Sequence, residues 1–401
     1  MNFVQAFRER VDLQPGVPAL IDHTLGGDRI LNYAALNRLA DALSIRLREA
    51  KIVAGDLFVL LLEPGQEFYL YLLAALQIGA VPVLYGPPWG SRQISRWLRE
   101  VEPAACVLPQ WQHAAFWLAS GLRNVSKQLS VDSKGTRARW LRLGHIGTVE
   151  ELDPSAPALI VLGSDHAGQP VAWRWTQGCL NRSLDLLATA LRLKAGDMDL
   201  CRTPLHLLAN LRAGLTSLVP INSGLLAKVQ LHRQIEKFKP TRTAASALDL
   251  AFLLRKESST LHRIYVLNGP PAERERNLLL EHGSRITVDV LFGDAMPIAV
   301  NSLNASVVEK NACCLGRLLE FVEARILRVE KGKEGWWPSG KGGEAGELTV
   351  RADFLPVPCS PYGEADPQRI WKDSADPDAT WLRTGRHGFF DDTQRFWLTR
   401  A

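Results

Sequence analysis

The segment from Phe68 to Tyr85 constrains the fold most strongly, because it contains no charged residue. Its length is close to that of a membrane-spanning helix. Gly79 and Pro82 interrupt it, however, and its last part, from Ala80 onward, is short and rich in valine. Buried parallel strands have this composition. We therefore predict a buried helix followed by a buried parallel strand, and no transmembrane segment.

Helix and strand patterns alternate along most of the chain. Apolar residues recur at helical spacing from Asn32 to Leu47 and from Leu184 to Leu193. Between and after these segments lie short apolar runs that predict strands, at Leu57–Leu62, Ala158–Leu162, Leu261–Leu267 and Ile286–Phe292. Strand, loop and helix in repeated order predict an α/β fold with layered, largely parallel sheets and helices.

The pattern changes near Cys314, after which strands dominate. Strand patterns occur at Glu320–Val329, Gly346–Arg351, Phe389–Phe390 and Phe396–Leu398. The segments between them, Glu330–Gly346 and Leu355–Asp378, are rich in Gly and Lys or in Pro and Asp, which predicts loops. We therefore predict two regions, an α/β core at residues 1–312 and a smaller β-rich subdomain at residues 313–401.

Composition argues against several other function classes. Forty-seven basic and 42 acidic residues are interspersed to give a net charge of +5, which does not predict nucleic-acid binding. The six cysteines show no metal-ligand spacing, so we expect reduced, mostly buried thiols and no metal site. The N-terminus lacks the apolar core of a signal peptide, and a cytoplasmic location is expected. The Gly-x-Ser-x-Gly elbow of hydrolases and the Gly-x-Gly-x-x-Gly dinucleotide fingerprint are absent.

A series of short motifs links these elements to a known family. They are Leu76–Val83, Gly163–Ala172, Thr203–His206, Leu267–Pro271, Leu291–Pro297, Gly346–Leu348 and Trp381–Asp391. In this order they resemble the motifs of the adenylate-forming (AMP-binding) acyl and aryl ligases, over essentially the whole chain. The family includes acyl-CoA synthetases, luciferases and adenylation domains. Pro297 and the paired aromatics before Asp391 resemble the olefin β-lactone synthetase branch, to which long-chain acyl-CoA ligases are close.

The resemblance assigns the first nucleotide-binding positions to Ser164, Asp165, Gly168 and Val171. In the family this loop holds the ATP phosphates with backbone N–H groups, hydroxyls and one lysine. Val171 stands at the lysine position. Asp165 would repel a triphosphate unless Mg²⁺ lay between them. His166 either compensates as a cation or is a hydrogen-bonded surface residue.

The resemblance assigns a second set of nucleotide-binding positions to Gly269, Gly293, Asp294 and Met296. The family's Mg²⁺-binding glutamate aligns with Met296. A thioether is a poor ligand for Mg²⁺. Asp294 is either a substitute ligand or an ordinary turn aspartate.

Thr384, Arg386 and Arg400 complete the predicted nucleotide-binding positions. The family's aspartate that binds both ribose hydroxyls aligns with Arg386, which can only donate hydrogen bonds. Alternatively, Arg386 meets a phosphate, as arginine forks commonly do. The family continues beyond Arg400 into a lid domain that carries the catalytic lysine. For this chain, which stops at Ala401, the lid is lost or the sequence is a fragment or truncated product.

Together these replacements predict a family member with a degraded ATP site. The expected role is that of a binding or accessory protein for an acyl or carboxylate compound, an altered nucleotide, or a protein partner in a lipid or natural-product pathway. His206 and Asn268 are the positions that resemble the acyl pocket. The alternatives are an active ATP- and Mg²⁺-dependent ligase that forms acyl-AMP, acyl-CoA or a β-lactone through altered contacts, and a nonfunctional remnant.

Overall fold

A computed structural model describes residues 2–24, 27–86, 89–109, 120–131, 147–165, 168–220, 227–254, 260–281, 286–303, 308–309, 312–330, 333–337, 345–359, 369–373 and 376–399. Its contacts group the chain into two units, Met1–Gln234 with Cys359–Glu364, and Ile235–Pro358 with Ala365–Ala401. The division at residues 312 and 313, which follows the change of pattern in the sequence, remains a prediction.

The first unit alternates helices and strands. Its helices are α1 (Phe3–Leu13), α2 (Tyr33–Glu49), α3 (Gln66–Gln77), α4 (Ser91–Val101), α5 (Gln177–Ala190), α6 (Pro204–Ala213), the start of α7 (Ala227–Phe238), and a 3₁₀ helix at Ser120–Asn124. Its strands are β1 (Pro18–Thr24), β2 (Gly27–Asn32), β3 (Leu57–Leu60), β4 (Val81–Tyr85), β5 (Ala105–Pro109), β6 (Lys127–Val131), β7 (Pro157–Ser164), β8 (Pro170–Thr176), β9 (Met198–Leu200) and β10 (Thr216–Leu218).

Parallel pairing dominates both sets of strands in this unit. One set has the order β9-β10-β1-β2, and only β2 is antiparallel to its neighbour. The other has the order β8-β7-β4-β3-β5-β6, and only β8 is antiparallel. The predicted fold class is therefore confirmed.

The charge-free segment from Phe68 to Tyr85 divides as predicted into helix α3 and strand β4, and nearly all of it is buried. Within the described ranges, no helix combines the length and apolarity that a bilayer span requires. The cytoplasmic location remains a prediction. All six cysteines are free thiols, and the buried ones are Cys106, Cys201, Cys314 and Cys359.

The second unit begins with short helices and parallel strands and continues as an antiparallel sheet. Its helices are α8 (Ala247–Leu253) and α9 (Glu273–Glu281). Its strands are β11 (Arg242–Ala245), β12 (Arg263–Val266), β13 (Thr287–Phe292), β14 (Ala299–Ser302), β15 (Val308–Glu309), β16 (Ala312–Gly316), β17 (Glu323–Glu330), β18 (Lys333–Trp337), β19 (Gly346–Arg351), β20 (Val357–Cys359, which ends at the boundary of the two units), β21 (Ile370–Asp373), β22 (Asp376–Phe390) and β23 (Phe396–Thr399).

Strands β11, β12 and β13 pair in parallel, and β14 is antiparallel to β13. The antiparallel sheet has the order β15-β16-β23-β22-β19-β17-β18, with β21 on β22. The expectation of loops at 330–346 and 355–378 was wrong in part, because β18, β20 and β21 lie there. Strand pairing overrides the Gly- and Pro-rich composition of these segments.

A buried carboxylate, that of Asp41 on α2, joins several elements of the first unit. Its Oδ1 accepts hydrogen bonds from Arg8 Nη2 on α1 at 2.5 Å and from Gln77 Nε2 on α3 at 2.8 Å. Arg8 also donates to the carbonyl oxygen of Gly147 at 2.6 Å. Since buried charges require partners, each of these groups depends on the others.

Asp41→Ala should therefore destabilise the first unit strongly. The substitution leaves Arg8 and Gln77 without their shared acceptor, and since Arg8 is partly exposed we expect a loss of about 2–3 kcal/mol. The first transition in urea unfolding measures it. Glu100→Ala, which removes a surface pair with Arg96, is the matched control and should cost less than about 0.5 kcal/mol. Equal effects of the two variants would contradict this role of Asp41.

Candidate functional site

The predicted phosphate loop is the connection between β7 and β8 in the first unit. Ser164 pairs with Pro170 at the end of this hairpin where the connecting loop begins. The backbone N–H of Asp165 donates to the carbonyl oxygen of Gln169 at 3.0 Å. The N–H of Gly168 donates to the carbonyl oxygen of Asp165, also at 3.0 Å. The Asp165 carboxylate accepts from the N–H of Gln169 at 2.7 Å. The Asp165 side chain therefore stabilises the loop in which it lies.

Val171, the residue predicted at the position of the family's lysine, lies within β8. Val171 pairs with Gly163 across the hairpin and is 1% exposed. An isopropyl group has no donor for a phosphate oxygen. His166 and Ala167 lie outside the described residues, so both interpretations of His166 stay open.

His206 lies in the first turn of α6 and is 7% exposed. The segment before it is anchored by Cys201, whose Sγ donates to the carbonyl oxygen of Thr203 at 3.4 Å. Burial, followed by the nearby Asp199, raises the pKa of the Cys201 thiol well above its usual value. Asn268, the other predicted acyl-pocket position, belongs to the second unit and is exposed. That both residues line an acyl pocket remains a prediction.

Two loops of the second unit follow the carboxyl ends of neighbouring parallel strands, where α/β sheets bind ligands. Asn268 and Gly269 follow β12, both with positive φ angles of 67° and 104°. The N–H of Gly269 donates to the carbonyl oxygen of Leu291 at 2.9 Å. A Cβ at Gly269 would lie 3.4 Å from the ring of Phe292, the last residue of β13. The first loop therefore packs on the end of the second strand.

The loop after β13 is folded back tightly. The N–H of Ile298 donates to the carbonyl oxygen of Phe292 at 2.7 Å. Gly293 has a φ of 147°, and a Cβ there would lie 1.9 Å from the carbonyl oxygen of Met296. Met296 itself is 2% exposed, whereas the side chain of Asp294 is 18% exposed. Met296, the residue predicted at the position of the family's glutamate, is thus a buried apolar side chain.

Thr384, Gly385 and Arg386 form a bulge in β22. In its ladder with β19, Glu347 pairs with His387 and Thr349 pairs with Arg383, so residues 384–386 stand opposite the single residue between Glu347 and Thr349. Gly385 has a φ of 66°, in the left-handed region that favours glycine. The backbone of β22 therefore departs from regular strand geometry at residues 384–386.

The carboxylate of Glu347 closes this bulge. It accepts from Arg383 Nε at 3.0 Å, from Arg383 Nη2 at 2.6 Å and from the N–H of Gly385 at 3.0 Å. The hydroxyl of Thr384 accepts from the N–H of Arg386 at 3.1 Å. In the sequence, Glu347 and Arg383 belong to motifs that inform only about the fold. Nothing there indicates that they stabilise the bulge in which Arg386 lies.

The side chain of Arg386 lies against the loop that follows β13. Its Nη2 is 3.8 Å from Asp294 Oδ1, and the centre of its guanidinium is 5.7 Å from the centre of the Phe292 ring. Its Nε is buried and has no hydrogen-bond acceptor among the described residues. The ion pair with Arg386 is an interaction that neither predicted role for Asp294 included. Arg400 lies outside the described residues.

Gly293→Ala should test the backbone of this loop. A Cβ overlapping the Met296 carbonyl forces the loop open, and we expect a loss of about 3 kcal/mol in unfolding free energy. Gly196→Ala is the control, because Gly196 also has a positive φ, of 90°, but faces open space. It should cost only about 1 kcal/mol. Thermal or urea unfolding gives both values, and similar losses would mean that Gly293 matters only for its φ.

Comparisons with known proteins agree with this architecture. Residues 7–170 match the family model described as "AMP-binding enzyme". The chain is 26% identical to an olefin β-lactone synthetase of Stenotrophomonas maltophilia, over 92% of this chain and 72% of that protein. It is 25% identical to the enzyme of the same description from Xanthomonas campestris, with the same coverage.

Solved structures share the fold. A long-chain-fatty-acid-CoA ligase from Archaeoglobus fulgidus superposes with a TM-score of 0.82 at 17% identity, over 100% of this chain and 84% of that chain. The N-terminal domain of FACL13 from Mycobacterium tuberculosis gives a TM-score of 0.78 at 17% identity, and 100% of each chain is covered. The chain therefore shares the fold of these solved structures.

Proposed function

We propose that this chain, whose residues 7–170 match the AMP-binding enzyme family, is a member of the acyl and aryl ligase superfamily with a degraded ATP site and acts by binding. Its ligand would be an acyl or carboxylate compound, alone or with a protein partner from a lipid or natural-product pathway. The names of its relatives, β-lactone synthetases and fatty-acid-CoA ligases, support the carboxylate class.

The observation that carries the proposal is the Arg386–Asp294 ion pair beside the buried Met296. Adenylation joins a carboxylate to the α-phosphate of ATP and releases pyrophosphate. Catalysis of such a step depends on positioned cations and metal ions that neutralise the phosphates. Here the thioether of Met296 takes the place of the expected metal ligand. The positive charge of Arg386 is partly neutralised by the neighbouring Asp294 carboxylate. Neither change favours a bound Mg²⁺ complex of a triphosphate.

The phosphate loop supports the same conclusion. Val171 has no charge, and the Asp165 carboxylate adds a negative charge to the loop with which the family binds phosphates. Two like charges a few ångströms apart repel each other by about 1 kcal/mol in water and by several times more near a protein surface. Such a loop disfavours a triphosphate unless a cation intervenes.

We expect no binding of Mg²⁺-ATP tighter than a Kd of about 1 mM in calorimetry. Micromolar affinity would overturn the degraded-site proposal. The triple variant V171K/M296E/R386D, which restores the family's residues, serves as the positive control. It should bind at least about tenfold more tightly than the unmodified chain, since a hydrogen bond to a charged group is worth about 1.5–3 kcal/mol. Thermal melting checks that the charges introduced at buried positions leave it folded.

Native mass spectrometry of the purified protein tests the binding role itself. A co-purified acyl or carboxylate compound, or a stable protein partner, is the expected result, because a binding protein retains its ligand when dissociation is slow. Masses that correspond to the bare chain alone, from several expression conditions, would contradict this role. The His206→Leu variant should then release a small acyl ligand, if one is found, while a matched surface variant, His262→Leu, should keep it.

A second candidate function is that of an active ATP-dependent ligase with altered contacts. Arg386 favours it, because a guanidinium can replace a lost hydroxyl contact with a phosphate contact. This candidate requires Mg²⁺-ATP to bind in the micromolar range, so the calorimetry separates it from the first.

A further inference from the structure

Residues 91–146 carry the net positive charge of the chain. Basic and acidic residues balance elsewhere, but this segment has nine basic and three acidic residues, a net charge of +6 against +5 for the whole chain. Of this segment the structure describes residues 91–109 and 120–131, which include α4 and the 3₁₀ helix. A positive potential that is concentrated in one part of a protein attracts anionic partners to that part.

Helix α4 presents arginines on the side that faces away from the core. Its buried side chains are Ile94, Ser95, Trp97 and Leu98. Arg92, Arg96 and Arg99 are exposed and follow one another at intervals of four and three residues, which places them along one face of the helix. At a rise of about 1.5 Å per residue, they extend over about 10 Å. Arg96 Nε donates to Glu100 Oε1 at 2.7 Å, but the Arg96 side chain is 64% exposed, so solvent screens this pair.

The 3₁₀ helix adds a fourth arginine. The N–H of Gly121 donates to Ser95 Oγ at 3.1 Å, and a Cβ at Gly121 would lie 2.1 Å from the carbonyl oxygen of Ser95. The two helices therefore touch at Ser95, which lies about one turn from both Arg92 and Arg99. Arg123 is exposed two residues after this contact. The arginine face is defined as Arg92, Arg96, Arg99 and Arg123.

The arginine face lacks the features by which proteins and single-stranded nucleic acids are usually bound. Protein interfaces are centred on apolar or aromatic anchors. Among the described residues, no large apolar side chain that is exposed lies on α4 or on the 3₁₀ helix. Single-stranded nucleic acids stack their bases on exposed aromatic rings, but Trp89 and Trp97 are only 8% and 2% exposed. The face therefore offers charge without an apolar anchor.

We propose that the arginine face docks this chain on the anionic phospholipid surface of a membrane. Such a surface attracts basic residues by charge alone, and each one strengthens binding by about fivefold. The apolar side of α4 belongs to the core of the first unit, so the helix lies on the headgroups and does not insert its apolar side into the bilayer. No covalent step is involved.

The choice of a bilayer over a nucleic-acid duplex, which also binds cations by charge, rests on the proposed function. Acyl compounds partition into bilayers in proportion to the length of their chains. A chain that binds such compounds meets them at a higher concentration when it is docked on the membrane.

Sedimentation of the full chain with lipid vesicles tests the proposal. The vesicles consist of phosphatidylcholine, either alone or with about one third phosphatidylglycerol, at low ionic strength. The chain should bind the anionic vesicles and leave the neutral ones unbound. The variant R92Q/R96Q/R99Q/R123Q should bind the anionic vesicles about tenfold to hundredfold more weakly, because it lacks the four charges of the face. An unchanged affinity in this variant would overturn the proposal.

A matched control removes the same number of charges from exposed arginines on other helices of the first unit. It is the variant R38Q/R46Q/R182Q/R233Q, with changes in α2, α5 and α7. Because these positions are spread over three helices, its affinity for anionic vesicles should fall by less than about threefold. Equal losses in the two variants would mean that net charge alone matters and would contradict a docking face. Circular dichroism checks that both variants are folded.

Ionic strength provides a test that needs no variant. The Debye length falls from about 10 Å at 0.1 M salt to about 3 Å at 1 M, so the unmodified chain should leave the vesicles at the higher concentration. Binding that persists there would contradict the proposal. So would binding to a DNA or RNA duplex that depends on the four arginines while anionic vesicles remain unbound.

This inference and the proposed function can fail separately. The sedimentation assay contains neither ATP nor an added acyl compound, so a negative result leaves the proposed binding function untouched. Micromolar binding of Mg²⁺-ATP would overturn the degraded-site proposal and would leave the docking face untouched.

Discussion

The Glu347 carboxylate is the interaction on which the site of the second unit depends. One carboxylate oxygen binds the Arg383 fork and the other binds the N–H of Gly385. Without it, the partly buried N–H of Gly385 and the guanidinium of Arg383 would lose the acceptor that they share. Breaking such a pair is costly even where its formation contributes little. The position of Arg386 therefore depends on the bulge in β22 and on its hydrogen bond to Glu347 of β19.

The replacements predicted at three nucleotide-binding positions change the charge of the site in different ways. By the predicted correspondence with the family's motifs, Arg386 adds a positive charge in place of a negative one, Asp165 adds a negative charge to the phosphate loop, and Met296 removes the ligand for a divalent cation. A negative charge at the phosphate loop and a missing metal ligand each disfavour a triphosphate with Mg²⁺, whereas the change at Arg386 removes an acceptor for the ribose hydroxyls.

The sequence predicted most of the fold, because the apolar patterns of the buried elements are long and regular. The segment from Phe68 to Tyr85 became α3 and β4 as expected. The helix predicted from Leu184 begins earlier, at Gln177, because the Thr176 hydroxyl caps it by accepting from the N–H of Cys179. Strands β20 and β21 were missed, since their Pro- and Asp-rich surroundings resemble loops and only strand pairing makes them ordered.

The sequence proposed positions for the site, which stay predictions, and it did not reveal the contacts that those residues make. Family motifs located Met296, Arg386 and Val171, but the Arg386–Asp294 pair joins residues far apart in the chain. No local pattern signals that a bulge in β22 brings them together, nor that Glu347 closes the bulge. Such contacts depend on the pairing register of β19 and β22 and on the left-handed conformation of Gly385. Neither can be deduced from the residues next to them in the sequence.

The most direct test of the central claim, that this chain keeps the ligase fold without the ligase chemistry, is an assay of pyrophosphate release. Purified protein is incubated with Mg²⁺-ATP and a panel of carboxylic acids that includes short and long fatty acids, β-hydroxy fatty acids and aryl acids. The account predicts release no faster than in protein-free controls for every acid. Acid-dependent, multiple-turnover release with any member of the panel would contradict it.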